Sequence, residues 1–84
     1  MRERKVKISL KDGLKSKPAA QFVEKANTFS SHITLIRNER VIAAKSIMGV
    51  MAAALGPGTE VILMAEGTDE IKALDSLEEF LSTP

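Results

Sequence analysis

The side chain best placed for chemistry in this sequence is the hydroxyl of Ser46, within the run Lys45-Ser46-Ile47-Met48-Gly49-Val50-Met51. Ser46 follows an apolar-rich strand candidate, Val41-Ile42-Ala43-Ala44, and precedes Ile47, Val50 and Met51 at helical spacing. A serine there reads as an N-cap, its oxygen accepting a hydrogen bond from a backbone N–H left free in the first turn. The other free N–H groups and the positive end of the helix dipole favour an anion, so the position is hospitable to a phosphate. A plain cap would put the same residue in the same place. Lys15 and Lys17 form a second feature, just ahead of Pro18 and an apolar-striped segment. Cations at a helix's positive end are mildly unfavourable alone and make more sense where an anion visits; two solvated lysines are the alternative.

Most other chemistry is excluded by composition. One histidine, no cysteine and dispersed carboxylates make no triad, no metal cluster and no paired acid and base. Gly56-Pro57-Gly58 lacks a phosphate-loop lysine and serves as a turn. His32 opens a strand after a helix, so it sits at the helix end remote from Lys15 and Lys17. The reading is therefore a protein that is not an enzyme and needs no cofactor or metal.

The 84 residues are expected to form a single domain, 1–84, with one core. Hydrophobic residues make up 44% and charged residues 27%, the balance of a soluble globular chain. No apolar run approaches the roughly 20 residues that cross a membrane. Met1-Arg2-Glu3-Arg4-Lys5 leads into no long apolar segment, so a cytoplasmic location is expected. Net charge is +1, but residues 1–25 carry eight Lys/Arg against three Asp/Glu, and residues 60–84 carry one Lys against seven Asp/Glu. A basic half raises nucleic acid as a partner. The chain has no Tyr or Trp, and its three phenylalanines fall in helical patterns, so the stacking surface of a sheet-type RNA binder is missing.

Periodicity supplies the elements that must position Ser46 and the lysines. Lys5 to Lys11 alternates, with Val6, Ile8 and Leu10 on one face, and Asp12-Gly13 turns it. Ser16 reads as an N-cap and Pro18 as a first-turn residue of a helix whose stripe is Ala19, Phe22, Val23 and Ala26. His32 to Arg37 and Arg40 to Ala43 are strands joined by Asn38-Glu39. A helix over Ser46 to Leu55 stops at Gly56-Pro57-Gly58, and Thr59 to Ala65 is a fourth strand. Thr68 or Asp69 caps a last helix, with Ile71, Leu74, Leu77 and Leu81 as its buried stripe. The order predicts an α+β fold, a four-stranded sheet covered on one face by three helices, with the ferredoxin-like fold as competitor.

Gly13-Leu14-Lys15-Ser16-Lys17-Pro18-Ala19 and Lys45-Ser46-Ile47-Met48-Gly49-Val50-Met51 resemble the two signature regions of the histidine-containing phosphocarrier family, HPr. The resemblance spans essentially the whole chain and implies the HPr-like open-faced β-sandwich, with an antiparallel sheet. The second region matches closely. In the first, Lys15 stands where that family has its phosphorylated histidine and Lys17 where it has arginine; Ala53 replaces a larger aliphatic residue. The chain is thus most similar to the regulatory branch, the catabolite repression HPr-like proteins, which keep the serine and lack the histidine. The resemblance implies phosphorylation of Ser46 by HPr kinase/phosphorylase, using ATP or pyrophosphate, and corepression with catabolite control protein A. It also implies a partner-binding set of Lys15, Lys17, Ala20, Ile47, Met48 and Met51. A phosphocarrier-type protein, or an unreactive decoy binding carrier enzymes, is the alternative. Exchange of the terminal first strand between two chains, giving a homodimer, is open to a sequence with a glycine-containing hinge after that strand.

Lysine, with a reference pKa near 10.4, is an ammonium at neutral pH and offers no lone pair for attack on phosphorus. Labelled phosphoenolpyruvate with the general energy-coupling enzyme of the sugar phosphotransferase system should therefore leave the chain unlabelled. Lys15→His combined with Lys17→Arg should gain label; a folded double variant that stays unlabelled would place the deficiency elsewhere.

Overall fold

The computed structural model describes residues 1–84. Seven elements follow in order: β1 (Arg2–Lys7), α1 (Ser16–Ala26), β2 (His32–Arg37), β3 (Arg40–Ala43), α2 (Ile47–Ala53), β4 (Glu60–Glu66) and α3 (Glu70–Ser82). The strands form one antiparallel sheet in the order β1-β4-β2-β3. This is the open-faced sandwich of the sequence reading, with β1 on an edge. The helices lie on one face, α3 over β1 and β4, α2 over β3, and α1 against both other helices.

Alternation along the strands sends one set of side chains under the helices. Val6, Ile33, Leu35, Val61, Leu63 and Ala65 meet the apolar stripes of α1 and α3 in one cluster of 19 buried residues. Phe22, fully buried on α1, stacks at a tilt on Phe80 of α3, their ring centroids 6.1 Å apart. Val50 is the residue that α2 commits to this core.

Several boundaries differ from the sequence reading, each for a visible reason. The first strand runs Arg2–Lys7, not Lys5 to Lys11. Ile8 still bonds across to Thr59, but the Ser9 N–H turns to the Leu81 carbonyl at the end of α3, and the ladder stops. Ser16 does not cap α1. Lys15 holds the N-cap position with extended backbone and no side-chain bond, and Ser16 enters the helix at φ 49. α2 closes before the glycines, because Ala54 adopts left-handed backbone and sends Leu55 inward. Ile71 is exposed: the stripe of α3 is Ala73, Leu74, Leu77 and Leu81, and Ile71 lies roughly a quarter turn from its centre.

Asp69 stands at the N-cap of α3, yet its carboxylate serves another segment. It accepts from the backbone N–H groups of Ser30 and Ser31 and from the Ser31 hydroxyl. These bonds, the Ser31 hydroxyl first, hold the carboxyl down at about 2. The break between α1 and β2 is thereby tied to the start of α3. A carboxyl with a depressed folded-state pKa stabilises the fold above its ordinary range, and that contribution is lost as pH falls toward 2. Thermal melts between pH 5 and 2 should show wild type losing stability over this window. Asp69→Asn should melt lower at pH 5 and show a flatter decline.

Candidate functional site

Ser46 lies where β3 ends and α2 begins. Its backbone is extended, φ −105 and ψ 113, and its Oγ accepts from the Gly49 N–H at 3.1 Å. Its carbonyl accepts the first helical bond, from Val50 N–H at 3.0 Å. This is the N-cap read from sequence. Gly49 suits the contact: a Cβ there would stand 3.3 Å from Ser46 Oγ and crowd the cap. The Ile47 and Met48 N–H groups precede any intrahelical acceptor and face the same end. An oxygen-rich anion on Ser46 would thus meet backbone donors on a half-exposed residue.

Around the serine, α2 turns apolar side chains outward. Met48 is 80% exposed, Met51 45% and Ile47 38%. Val50 is the one buried residue of the helix. Methionine adapts readily to a partner's surface, and three exposed apolar residues on one flank of a two-turn helix form a patch with no intramolecular cover.

Lys15, Lys17 and Ala20 are all exposed at the start of α1. Neither lysine joins any of the five ion pairs, which involve the N-terminus, Arg2, Arg4 and Lys5. The structure does not gather them round Ser46. Leu14 N–H donates to the Leu55 carbonyl at 2.7 Å, so α1 begins where α2 ends. At the other end of the pair, the Asn27 side chain after α1 donates to the Lys45 carbonyl. The two helices run antiparallel, and the lysines are separated from Ser46 by about the length of α2, roughly 10 Å. Both lysines are open to solvent at that end of the pair.

Sequence reasoning missed what Lys45 does. Its Nζ donates to the Phe29 carbonyl at 2.7 Å, and with the Asn27 bond it moors the residue before Ser46 to the turn after α1. The cation adjacent in sequence to Ser46 is thus occupied by the fold. A lysine immediately before a cap carries no signal for this, because the acceptor lies sixteen positions away.

His32 is exposed at the start of β2, opposite Glu66. No group of His, Asp or Glu side chains is arranged to hold a metal ion. No helix is long and apolar enough to cross a membrane.

Comparison with known proteins agrees with this arrangement. Residues 2–83 match the family profile described as "PTS HPr component phosphorylation site". The chain belongs to the HPr family. It is 46% identical over 81 residues to the HPr-like protein Crh of Bacillus subtilis, covering 96% of this chain and 95% of that one. It is 45% identical over 73 residues to the phosphocarrier protein HPr of Treponema pallidum, covering 87% and 83%. Among solved structures, HPr from Bacillus anthracis superposes with a TM-score of 0.93 at 39% identity, covering 95% of each chain. The crystal structure of Bacillus subtilis Crh, described as a swapped dimer, gives 0.77 at 46% identity, covering 96% and 93%. HPr and Crh are phosphocarrier or regulatory proteins, not enzymes.

Ser46→Ala removes the one side-chain acceptor at the start of α2. Chemical denaturation should show a loss of about 1 kcal/mol, within the usual 0.5–2 for a lost cap. Asn or Asp at 46 should recover most of it.

Proposed function

We propose that this chain is a regulatory HPr-like protein of the Crh kind, phosphorylated on Ser46 by HPr kinase/phosphorylase. The phosphorylated form acts as corepressor of catabolite control protein A in carbon catabolite repression, in the cytoplasm. The observation that carries the reading is the pairing of two facts. Ser46 caps a helix beside uncovered Ile47, Met48 and Met51, while the position that would need an imidazole for phosphoryl transfer holds Lys15.

Phosphorylation adds about −1.5 to −2 charges at a helix N-terminus, where they are stabilised rather than repelled. The fold need not change. What changes is the surface: a dianion appears beside an apolar patch, with Lys15 and Lys17 about a helix length away to meet partner carboxylates. Charge-assisted hydrogen bonds to partner basic groups contribute about 1.5–3 kcal/mol each when well formed. The similar phosphocarrier proteins support a second reading, a decoy that binds carrier enzymes without accepting phosphate.

Assembly follows the same logic. β1 is an edge strand joined to the rest through a loop containing Gly13, and Arg4 of β1 pairs with Asp75 and Glu78 of α3. Exchange of β1 between two copies would preserve these contacts across the dimer, and the swapped dimer of Bacillus subtilis Crh supports that assembly here.

Incubation with HPr kinase/phosphorylase and ATP should place one phosphate on Ser46, read by mass spectrometry. Titration of the repressor should then show tight binding only for the phosphorylated form, with Met48→Ala weakening that complex by about 1–2 kcal/mol. Equal affinity of the two forms would remove the switch. An unmodified Ser46, with binding to carrier enzymes intact, would favour the decoy.

A further inference from the structure

The flank of α2 turned away from Met48 borders a groove of about 490 Å³ between the helix and the β2–β3 hairpin. Ile42, Ala52, Ala53 and Leu55 line it, and Arg37 and Arg40 stand at its hairpin end. It is open because the helix contributes only small side chains there; Ala53 fills little of the space a larger aliphatic residue would occupy.

The arginines give the groove its chemistry. Arg37 and Arg40 face each other directly across the hairpin. Like charges directly opposite are destabilising. Neither guanidinium takes part in any ion pair or side-chain hydrogen bond of the chain. Every other arginine has a carboxylate partner: Arg2 meets Glu70, and Arg4 meets Asp75 and Glu78. Two unpaired planar forks at the mouth of an apolar groove match a carboxylate followed by an aliphatic side chain. Nucleic acid fits less well, since two cations above an aliphatic lining supply neither a phosphate track nor a stacking surface.

We propose that this groove is a docking site for a short acidic segment of another protein, with a carboxylate held between Arg37 and Arg40 and an aliphatic side chain seated against Ala53. The site centres on the Gly49–Ala53 flank of α2, with Ala52 at its border toward the Met48 patch, and operates whether or not Ser46 carries phosphate. One partner can thus occupy each flank of α2.

The probe is a blocked hexapeptide of alternating aspartate and leucine, titrated into the unphosphorylated, isotopically labelled chain and followed by amide chemical shifts. No kinase or repressor is present, so the outcome is independent of the Ser46 reading. Saturable shifts are expected at Arg37, Arg40, Ile42, Ala52 and Ala53, and none with the lysine–leucine counterpart. Ala53→Leu, which fills the groove, should weaken binding at least tenfold, as should Arg37→Gln with Arg40→Gln. Ala52→Leu, at an exposed position, is a second blocking variant should Ala53→Leu melt early. The proposal is overturned by an absence of saturable shifts or by shifts centred on Met48. It is equally overturned by affinity unchanged in the folded variants, by a thymidine oligonucleotide or inorganic phosphate binding as well as the peptide, or by self-association of the chain that Ala52→Leu abolishes.

Discussion

The join between Leu14 and Leu55 decides where everything functional lies. The Leu14 N–H reaches the Leu55 carbonyl at 2.7 Å, and both side chains are fully buried. The contact needs Gly13, whose φ is +78 and whose missing Cβ would stand 2.5 Å from that carbonyl oxygen. This bond joins the start of α1 to the end of α2, and the Asn27 bond to the Lys45 carbonyl joins their other ends, so the two helices run antiparallel. Lys15 and Lys17 are consequently held at one end of the pair and Ser46 at the other. The mooring of Lys45 to Phe29 and Asn27 completes the opposite end.

This layout makes α2 a platform. It buries Val50 and ends after two turns in left-handed Ala54, so little of its surface is needed for the core. Ile47, Met48 and Met51 point to solvent, Gly49 and Ala53 face the hairpin, and Ala52 stands between the two flanks. A short helix held at both ends presents side chains with little freedom to move as a unit, which suits recognition more than chemistry. Position 15 holds a lysine, whose ammonium offers no lone pair for attack at neutral pH.

The rest of the fold has its own anchors, one of which shares a turn with this platform: Phe29 holds Lys45, and Ser30 and Ser31 are held by Asp69. Asp69 ties the turn before β2 to α3, and Arg4 ties β1 to the middle of α3. The guanidinium between Asp75 and Glu78 is held more firmly protonated than an ordinary arginine by those bonds. Both links run to α3.

The sequence by itself determined the element order, the inward Val6 and Ile8 of the first strand and the cap at Ser46. Period-2 and period-3.6 patterns and capping chemistry are local and survive without knowledge of neighbours. The two signature runs carried the family resemblance, but helical spacing grouped Ile47, Val50 and Met51 together, and only the packed structure separates buried Val50 from its exposed neighbours. Tertiary structure decided what depends on distant partners. Ser16 lost the cap to Lys15, Ile71 turned out to solvent, and α2 stopped short of its glycines so that Leu55 could meet Leu14. The separation of the lysines from Ser46, the engagement of Lys45 and the unpaired Arg37–Arg40 pair all arise from contacts between segments. Long-range packing fixes where a side chain finds its partner, and no local spacing encodes that distance.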